Sequence, residues 1–294
     1  AVATIKVETV DVAVTWPTIT KKSGTYGDTW SRIVTFTGGS ASLNGADVPG
    51  KFELAAPDAV PSVGDSYTIQ FKSNDGKYTL TKTYNDAQIA PAELMITAKD
   101  HTITYGDAPA NVGVTYMGFV NGEDESTAAH TGELSYTYTY AQYGDIGEFE
   151  IKPMGINYTN YTVAFIEGHL RVNAKPLTVA EGTLHIEKTY DGTKNAGAVA
   201  SGTALELTGV VNHDDVAVSY EIGEYTSANV GSGTVALTNL RLTGAKAGNY
   251  TLDRKTLEVS CSIDMATLTA DMLTAAPTTA TYDGNAKTVT VSLK

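Results

Sequence analysis

The chain has almost no cysteine. Cys261 is the single cysteine among 294 residues, so no disulfide within the chain can stabilise its fold. Cys261 lies in an alternating run with Leu257, Val259 and Ile263 on one face, which is typical of a small buried side chain rather than a reactive thiol. Any small domains in this sequence must therefore depend on their hydrophobic cores.

Positive charge is also scarce. Lysine and arginine total 20 against 33 acidic residues, which gives a net charge of −13, and the longest cationic run is Lys21-Lys22. Nucleic acid and anionic membrane surfaces repel such a chain, so neither is expected as a partner. No apolar run approaches the roughly 18 residues of a membrane-spanning helix, so membrane insertion is not expected either.

Patterns that carry catalysis or metal binding are missing as well. The five histidines are dispersed, none accompanies a serine or cysteine nucleophile motif, and no pair has the spacing of zinc ligands. No glycine-rich phosphate loop leads from a strand into a helix. The sequence therefore predicts a protein that is not an enzyme, with no cofactor and no metal site.

A threonine-tyrosine step followed by a glycine/aspartate turn recurs four times. Its tyrosines are 79, 85 and 92 residues apart, which indicates tandem modules. A repeated aspartate suggests calcium, but the motif lacks densely spaced carboxylates, so we predict a turn that the aspartate caps. The four copies are Thr25-Tyr26-Gly27-Asp28, Thr104-Tyr105-Gly106-Asp107, Thr189-Tyr190-Asp191-Gly192 and Thr281-Tyr282-Asp283-Gly284.

Further motifs recur in the same order. A Tyr-Thr-aliphatic step begins at Tyr78, Tyr161 and Tyr250, and a glycine follows an aliphatic residue at Val63-Gly64, Ile146-Gly147 and Val230-Gly231. Modules two and three also share a segment of the pattern Gly-x-Val-Asn-x-acid-Asp. The acidic residues in this segment, with Glu125 directly after it, are predicted to be solvated loop charges, and they are Glu123, Asp124, Glu125, Asp214 and Asp215.

The motifs divide the chain into modules at 1–91, 92–176, 177–266 and 267–294, of which the last begins a fourth module without completing it. Short Ala/Pro steps join the modules, and proline fixes φ, so we expect a semi-rigid, elongated rod. The chain is expected to be an internal part of a longer protein. Residues 268–294 should either fray or pair with the edge strand of a neighbouring chain.

Composition and alternation favour β structure. The chain is rich in Thr, Val and Tyr, and helical patterns are limited to short candidates at 122–130 and 270–275. With about 5–8 short strands per module, the predicted fold is all-β, in small antiparallel sandwiches of the immunoglobulin-like kind. The alternative is a β-grasp-like module, in which residues 122–130 form the one short helix.

One strand-like run carries a row of tyrosines. Alternation over residues 133–140 places Tyr136, Tyr138 and Tyr140 on the same face as Leu134. An exposed row of this kind can stack on sugar rings, whereas a buried row packs into the core of a sandwich. These three tyrosines are the candidate binding residues for a glycan or a host protein.

Module two resembles the bacterial surface repeats called MBG domains, and module three resembles the related YDG repeat. Their shared motifs are Thr104–Asp107 with Asn160-Tyr161-Thr162, and Lys188–Thr193 with Asn249-Tyr250. The likeness covers about 92–294, while module one departs from it and carries Trp16 and Trp30. The resemblance implies a tandem, non-catalytic stalk of an adhesin-like protein at the bacterial cell surface. The alternatives are a module that itself binds a glycan or host protein and, more remotely, an accessory region of a carbohydrate-active enzyme.

Overall fold

The computed structural model describes residues 11–110, 112–195, 198–201 and 205–294. Residues 1–10, with which the first module is predicted to begin, lie outside them. Within the described residues the chain contains 28 strands, one four-residue α-helix and two 3-10 helices, so the predicted all-β class is confirmed. Every helix in this part of the chain is too short to span a bilayer.

The chain forms two compact units. The first unit holds the described residues up to Thr102 together with Pro109–Ala141 and Glu148–Arg171. The second unit holds Ile103–Ala108, Gln142–Gly147 and the described residues from Val172 onward. Each has its own buried core, formed around Ile33, Ile69, Leu94 and Ile96 in the first unit and around Ile186, Val235, Leu237 and Val259 in the second.

Residues 11–91 form nine short strands and one helix. These are β1 (Ala13–Thr15), β2 (Thr18–Thr25), α1 (Trp30–Ile33), β3 (Val34–Thr37), β4 (Ser40–Leu43), β5 (Ala46–Asp47), β6 (Gly50–Leu54), β7 (Tyr67–Ser73), β8 (Thr79–Tyr84) and β9 (Gln88–Ala90). They make three-stranded sheets in the orders β1-β4-β5, β3-β2-β9 and β6-β7-β8. The pairs are antiparallel except β2–β9, which is parallel.

Residues 92–173 form the next nine strands. These are β10 (Ala92–Ala98), β11 (His101–Thr104), β12 (Val114–Met117), β13 (His130–Thr131), β14 (Ser135–Tyr138), β15 (Gly147–Met154), β16 (Asn157–Tyr158), β17 (Tyr161–Ile166) and β18 (Gly168–Asn173). The sheet orders are β12-β10-β17, β11-β18-β15-β14 and β13-β16. The opening strand β10 pairs in parallel with β17, which carries the Tyr-Thr-aliphatic motif.

The third module repeats this plan with eight strands. These are β19 (Lys175–Ala180), β20 (His185–Thr189), β21 (Ala198–Ser201), β22 (Glu206–Thr208), β23 (Ala217–Tyr225), β24 (Gly231–Thr243), β25 (Tyr250–Leu252) and β26 (Leu257–Asp264), with a 3-10 helix at Ala247–Asn249. The sheet orders are β22-β19-β25 and β21-β20-β26-β24-β23. The opening strand β19 again pairs in parallel with the strand of the Tyr-Thr-aliphatic motif, β25.

The last residues form an exposed hairpin. A 3-10 helix at Ala270–Met272 leads into β27 (Leu273–Ala276), which pairs with β28 (Thr290–Leu293) in antiparallel register. Large apolar side chains on this hairpin, including Val291 and Leu293, are about 60% exposed (58% and 62%).

The helix required by the β-grasp alternative does not form over residues 122–130. The segment is a series of turns in which Asp124 Oδ1 accepts hydrogen bonds from the backbone N–H groups of Ser126 and Thr127, both at 2.9 Å. Hydrogen bonds from these two residues lower the pKa of Asp124 to about 2. This is the hydrogen-bond pattern of a helix N-cap, but after the bond from Ala128 N–H to the Asp124 carbonyl at 3.0 Å the segment does not continue as a helix.

Local sequence patterns are confirmed in two places. Leu134, Tyr136, Tyr138 and Tyr140 alternate with exposed residues around β14. Cys261 is 3% exposed in the core of the second unit, and burial raises the pKa of its thiol, so it is a buried apolar side chain as predicted.

Candidate functional site, a repeated contact between modules

The tyrosine-turn motif is a capped turn at the end of a strand. Asp28 Oδ2 accepts the backbone N–H of Thr25 at 3.1 Å, and the N–H of Tyr26 donates to the carbonyl of Ala90 at 2.8 Å. The predicted turn is therefore confirmed. The second motif repeats both bonds, from Thr104 N–H to Asp107 Oδ2 at 3.0 Å and from Tyr105 N–H to the Asn173 carbonyl at 2.8 Å.

In the first unit, the side chain of Tyr26 contacts the next module. Its hydroxyl donates to Glu123 Oε1 at 2.8 Å, while the hydroxyl of Tyr161 donates to the other carboxylate oxygen, Glu123 Oε2. The rings of Tyr26 and Tyr161 meet edge to face with centroids 5.4 Å apart. Tyr26 is 8% exposed and Tyr161 is 5% exposed. One carboxylate thus binds a tyrosine from each of two modules.

A second set of contacts supports the first. Asn160, directly before Tyr161, accepts the backbone N–H of Val63 through Oδ1 at 3.0 Å and donates to Ser62 Oγ at 3.3 Å. Gly27 has φ +104°, and a Cβ atom there would lie 3.1 Å from Val120. The glycine therefore permits both the left-handed turn and the close approach of the next module.

The second unit contains the same arrangement, built from the next copies of the motifs. Tyr105 and Tyr250 both donate to Asp214 Oδ2, at 2.7 and 2.6 Å. Their rings meet edge to face at 5.2 Å. The hydroxyl of Tyr250 also accepts the backbone N–H of Val211 at 3.2 Å, as that of Tyr161 accepts Val120 N–H at 3.2 Å. Tyr105 is fully buried.

The supporting contacts recur too. Asn249 Oδ1 accepts the backbone N–H of Ile146 at 3.0 Å, and Asn249 Nδ2 donates to Asp145 at 2.8 Å. Lys246 adds an ion pair to Asp145 at 2.7 Å. Gly106 has φ +96°, and a Cβ atom there would lie 3.0 Å from Val211.

Burial and the shared carboxylates change the ionisation of the tyrosines. Burial, followed by the hydrogen bond to Glu123 or Asp214, raises the pKa of Tyr161 and of Tyr250 to about 12. The pKa values of Tyr26 and Tyr105 are raised for the same reasons. All four hydroxyls therefore stay protonated and donate their hydrogen bonds throughout the neutral pH range.

The prediction that these acidic residues are solvated loop charges is wrong for Glu123 and Asp214. Each accepts two tyrosine hydroxyls, and a hydrogen bond to a charged acceptor contributes about 1.5–3 kcal/mol. A signal was present in the sequence, since the two acids occupy the same position in aligned segments. The tyrosines that donate to these two acids lie 36–109 residues away in the chain, so the sequence pattern alone did not show that they would meet.

The candidate binding tyrosines are partly covered. Tyr140 is 4% exposed and packs on Phe149 with ring centroids 5.0 Å apart. Tyr136 and Tyr138 are half-buried, and burial raises the pKa of each. The row therefore offers parts of two rings rather than an open platform. Glycan or protein binding there stays a prediction.

Module one carries the distinctive tryptophans and an open groove. Trp30 is buried at 7% exposure and packs on Tyr67 with centroids 5.7 Å apart, so it is part of the core. A groove of about 410 Å³ lies between Phe36, Glu53 and Lys72. Across the part of the chain that the structure describes, no three His, Cys, Asp or Glu side chains converge as metal ligands would.

Comparisons with known proteins identify two domains. Residues 94–171 match the family described as MBG domain (YGX type), and residues 173–257 match the family described as YDG domain. Both are non-catalytic domain families. A search of the curated proteins finds no match.

Several solved structures show weak similarity. They include the protocadherin GammaB4 extracellular domain (9% identity, 92% of this chain, 52% of that chain, TM-score 0.28), Drosophila N-cadherin EC1-4 (7%, 74%, 67%, 0.19) and domains 4–9 of the surface layer protein SbsC (13%, 89%, 49%, 0.21). The chain spans about half the length of the first and third of these. Similarity at this level carries no information about function.

Proposed function

Because this chain contains an MBG domain followed by a YDG domain, we propose that it is a spacer segment of an extracellular protein at the bacterial cell surface. The observation that carries the proposal is the repeated junction, in which one carboxylate binds a tyrosine from each of two consecutive modules. A spacer needs specific contacts between successive modules, and each junction provides such a set within one compact unit.

The junction favours stiffness for a physical reason. Each joint combines two charge-assisted hydrogen bonds, an aromatic edge-to-face pair and an asparagine that binds backbone. The tyrosines of both joints are buried. Aromatic pairs of this kind add about 0.5–1.5 kcal/mol beyond burial. Bending the joint breaks several of these contacts together.

The location and partners follow from the family and the charge. The domain families support a secreted protein with an adhesin-like stalk, and the net charge of −13 keeps its surface self-repelling and soluble. A ligand for the stalk itself would be a glycan or a host surface protein that contacts Tyr136 and Tyr138.

Surface display tests the spacer role. An epitope tag is placed before the chain and a membrane anchor after it, and antibody binding to the tag is measured on cells that carry a thick surface glycan layer. The chain should increase binding relative to the tag fused directly to the anchor, and Tyr136→Ala with Tyr138→Ala should leave that increase unchanged. Equal binding with and without the chain would overturn the spacer role.

A further inference from the structure

We propose that the end of the third module around Tyr190 is a docking site for a further β-module that presents a carboxylate and an Asn-Tyr step. The proposal rests on the proposed function, because it extends the junction chemistry to a face that the described residues leave open. It names the partner by the groups that bind Tyr26 and Tyr105 in the two existing junctions.

The backbone of Tyr190 makes the same hydrogen bond as that of a junction tyrosine, but its side chain is not buried by another module. Its N–H donates to the carbonyl of Asp264 at 2.8 Å, the same length as the corresponding bonds of Tyr26 and Tyr105. Its side chain is 45% exposed, whereas theirs are 8% and 0% exposed. The ring is therefore placed for a junction that the rest of the described chain does not form.

The third module also contains the aliphatic-Gly motif, whose backbone N–H binds an asparagine in the two existing junctions. Val230 precedes Gly231 at the start of β24, as Ile146 precedes Gly147 at the start of β15. The two glycines have φ +130° and +156°. Ile146 offers its N–H to an asparagine of the next module, and Val230, which is 48% exposed, is set to do the same.

The partner is a module of the type of modules two and three. Residues 267–294 contain no Asn-Tyr step, so they do not supply the receiving face. A second copy of this chain fits poorly, because module one has Lys77 before Tyr78 where the receiving modules have Asn160 and Asn249. The receiving face must therefore belong to another module that carries an acid and an Asn-Tyr pair.

The turn at Tyr190 differs from the other two junction turns in the residue that follows the tyrosine. Asp191 replaces the glycine that follows the tyrosine in the other junctions, and Lys188 Nζ and the N–H of Thr193 hold its carboxylate in its own turn at 2.7 and 2.9 Å. The valine of the incoming loop meets this side chain instead of a glycine. The test therefore uses incoming modules with valine and with alanine at that position.

The experiment extends the full chain at Lys294 with a Gly/Ser linker of about 15 residues and a copy of residues 175–266 that carries Tyr190→Phe, so that every peptide with Tyr190 comes from the parent module. Nitration by tetranitromethane, read by peptide mass spectrometry, reports the exposure of each tyrosine, and Tyr282, 92% exposed, is the internal reference. The two thiols of the extended chain, Cys261 and its equivalent in the copy, report folding, because both are buried and unreactive only when the parent module and the copy are both folded. A second extended chain carries the copy between Ala266 and Thr267, so that Tyr282 is kept as the reference, and both extended chains are made with and without Val211→Ala in the copy.

Docking should slow nitration of Tyr190 about tenfold relative to Tyr282, as expected for a face covered about 90% of the time. Asp214→Asn in the copy should restore much of the reactivity. If Tyr190 stays as reactive as in the unextended chain in every extended chain whose copy keeps its thiol buried, the docking site is overturned. The spacer role would survive that result, because the surface-display measurement does not depend on Tyr190.

Discussion

At the scale of single residues, each junction depends on a carboxylate that binds two tyrosines from different modules. Glu123 and Asp214 lie at equivalent positions and differ by one methylene, yet both reach two hydroxyls. A carboxylate suits this position because it accepts hydrogen bonds from both tyrosine hydroxyls at once.

Removal of the second carboxylate should destabilise the second unit. Asp214→Ala leaves the hydroxyls of Tyr105 and Tyr250 without their acceptor, so we expect a loss of about 2 kcal/mol in the free energy of unfolding. Glu258→Ala removes an exposed carboxylate from β26 and is the matched control, expected within about 0.5 kcal/mol of the parent. Urea denaturation measures both, and equal stability of the two variants would contradict the role given to Asp214.

The raised tyrosine pKa values predict a loss of stability in alkali. Burial and the hydrogen bond to Asp214 raise the pKa of Tyr250 to about 12 from its ordinary value of about 10, so its contribution to stability is complete below pH 10 and is lost as the pH rises toward 12. Tyr250→Phe should therefore flatten the decline in urea stability between about pH 10 and 11.5. Tyr282→Phe, at an exposed site, should leave the decline unchanged, and identical slopes for the two variants would count against the account.

At the scale of elements, the features that depend only on neighbouring residues were predicted from the sequence. The capped turn after Tyr26 and the alternation around Tyr138 depend on neighbours within a few residues, and both were predicted. The parallel pairing of β10 with β17 and of β19 with β25 was not, because each joins strands far apart in the chain. The receiving role of Glu123 was missed for the same reason.

Replacement of a turn glycine by alanine should destabilise the fold more where another module lies close to that glycine. Gly106→Ala places a side chain at φ +96° and 3.0 Å from Val211, whereas Gly192→Ala places one at φ +77° with no atom within 4 Å. The left-handed conformation alone costs about 1–2 kcal/mol in each. Thermal unfolding should therefore show the larger loss for Gly106→Ala, and a larger loss for Gly192→Ala would refute the close approach at the junction.

At the scale of the whole molecule, the repeated joint is proposed to set the reach of the chain. If each added module keeps the same relation to the one before it, length grows in equal steps. A strand of ten residues spans about 33 Å, so three modules end to end would reach about 100 Å. The tyrosine spacing in the sequence predicted this periodicity. The carboxylates that bind the tyrosines were identified only from the structure, because the bonded residues lie far apart in the chain.

Small-angle scattering of the chain in solution tests the central claim most directly. A stiff array about 100 Å long has a radius of gyration of about 30 Å, with a maximum dimension to match. A compact particle of 294 residues has a radius of gyration of about 19 Å. We predict the larger value at low and at high salt, and a value near 19 Å would contradict the spacer.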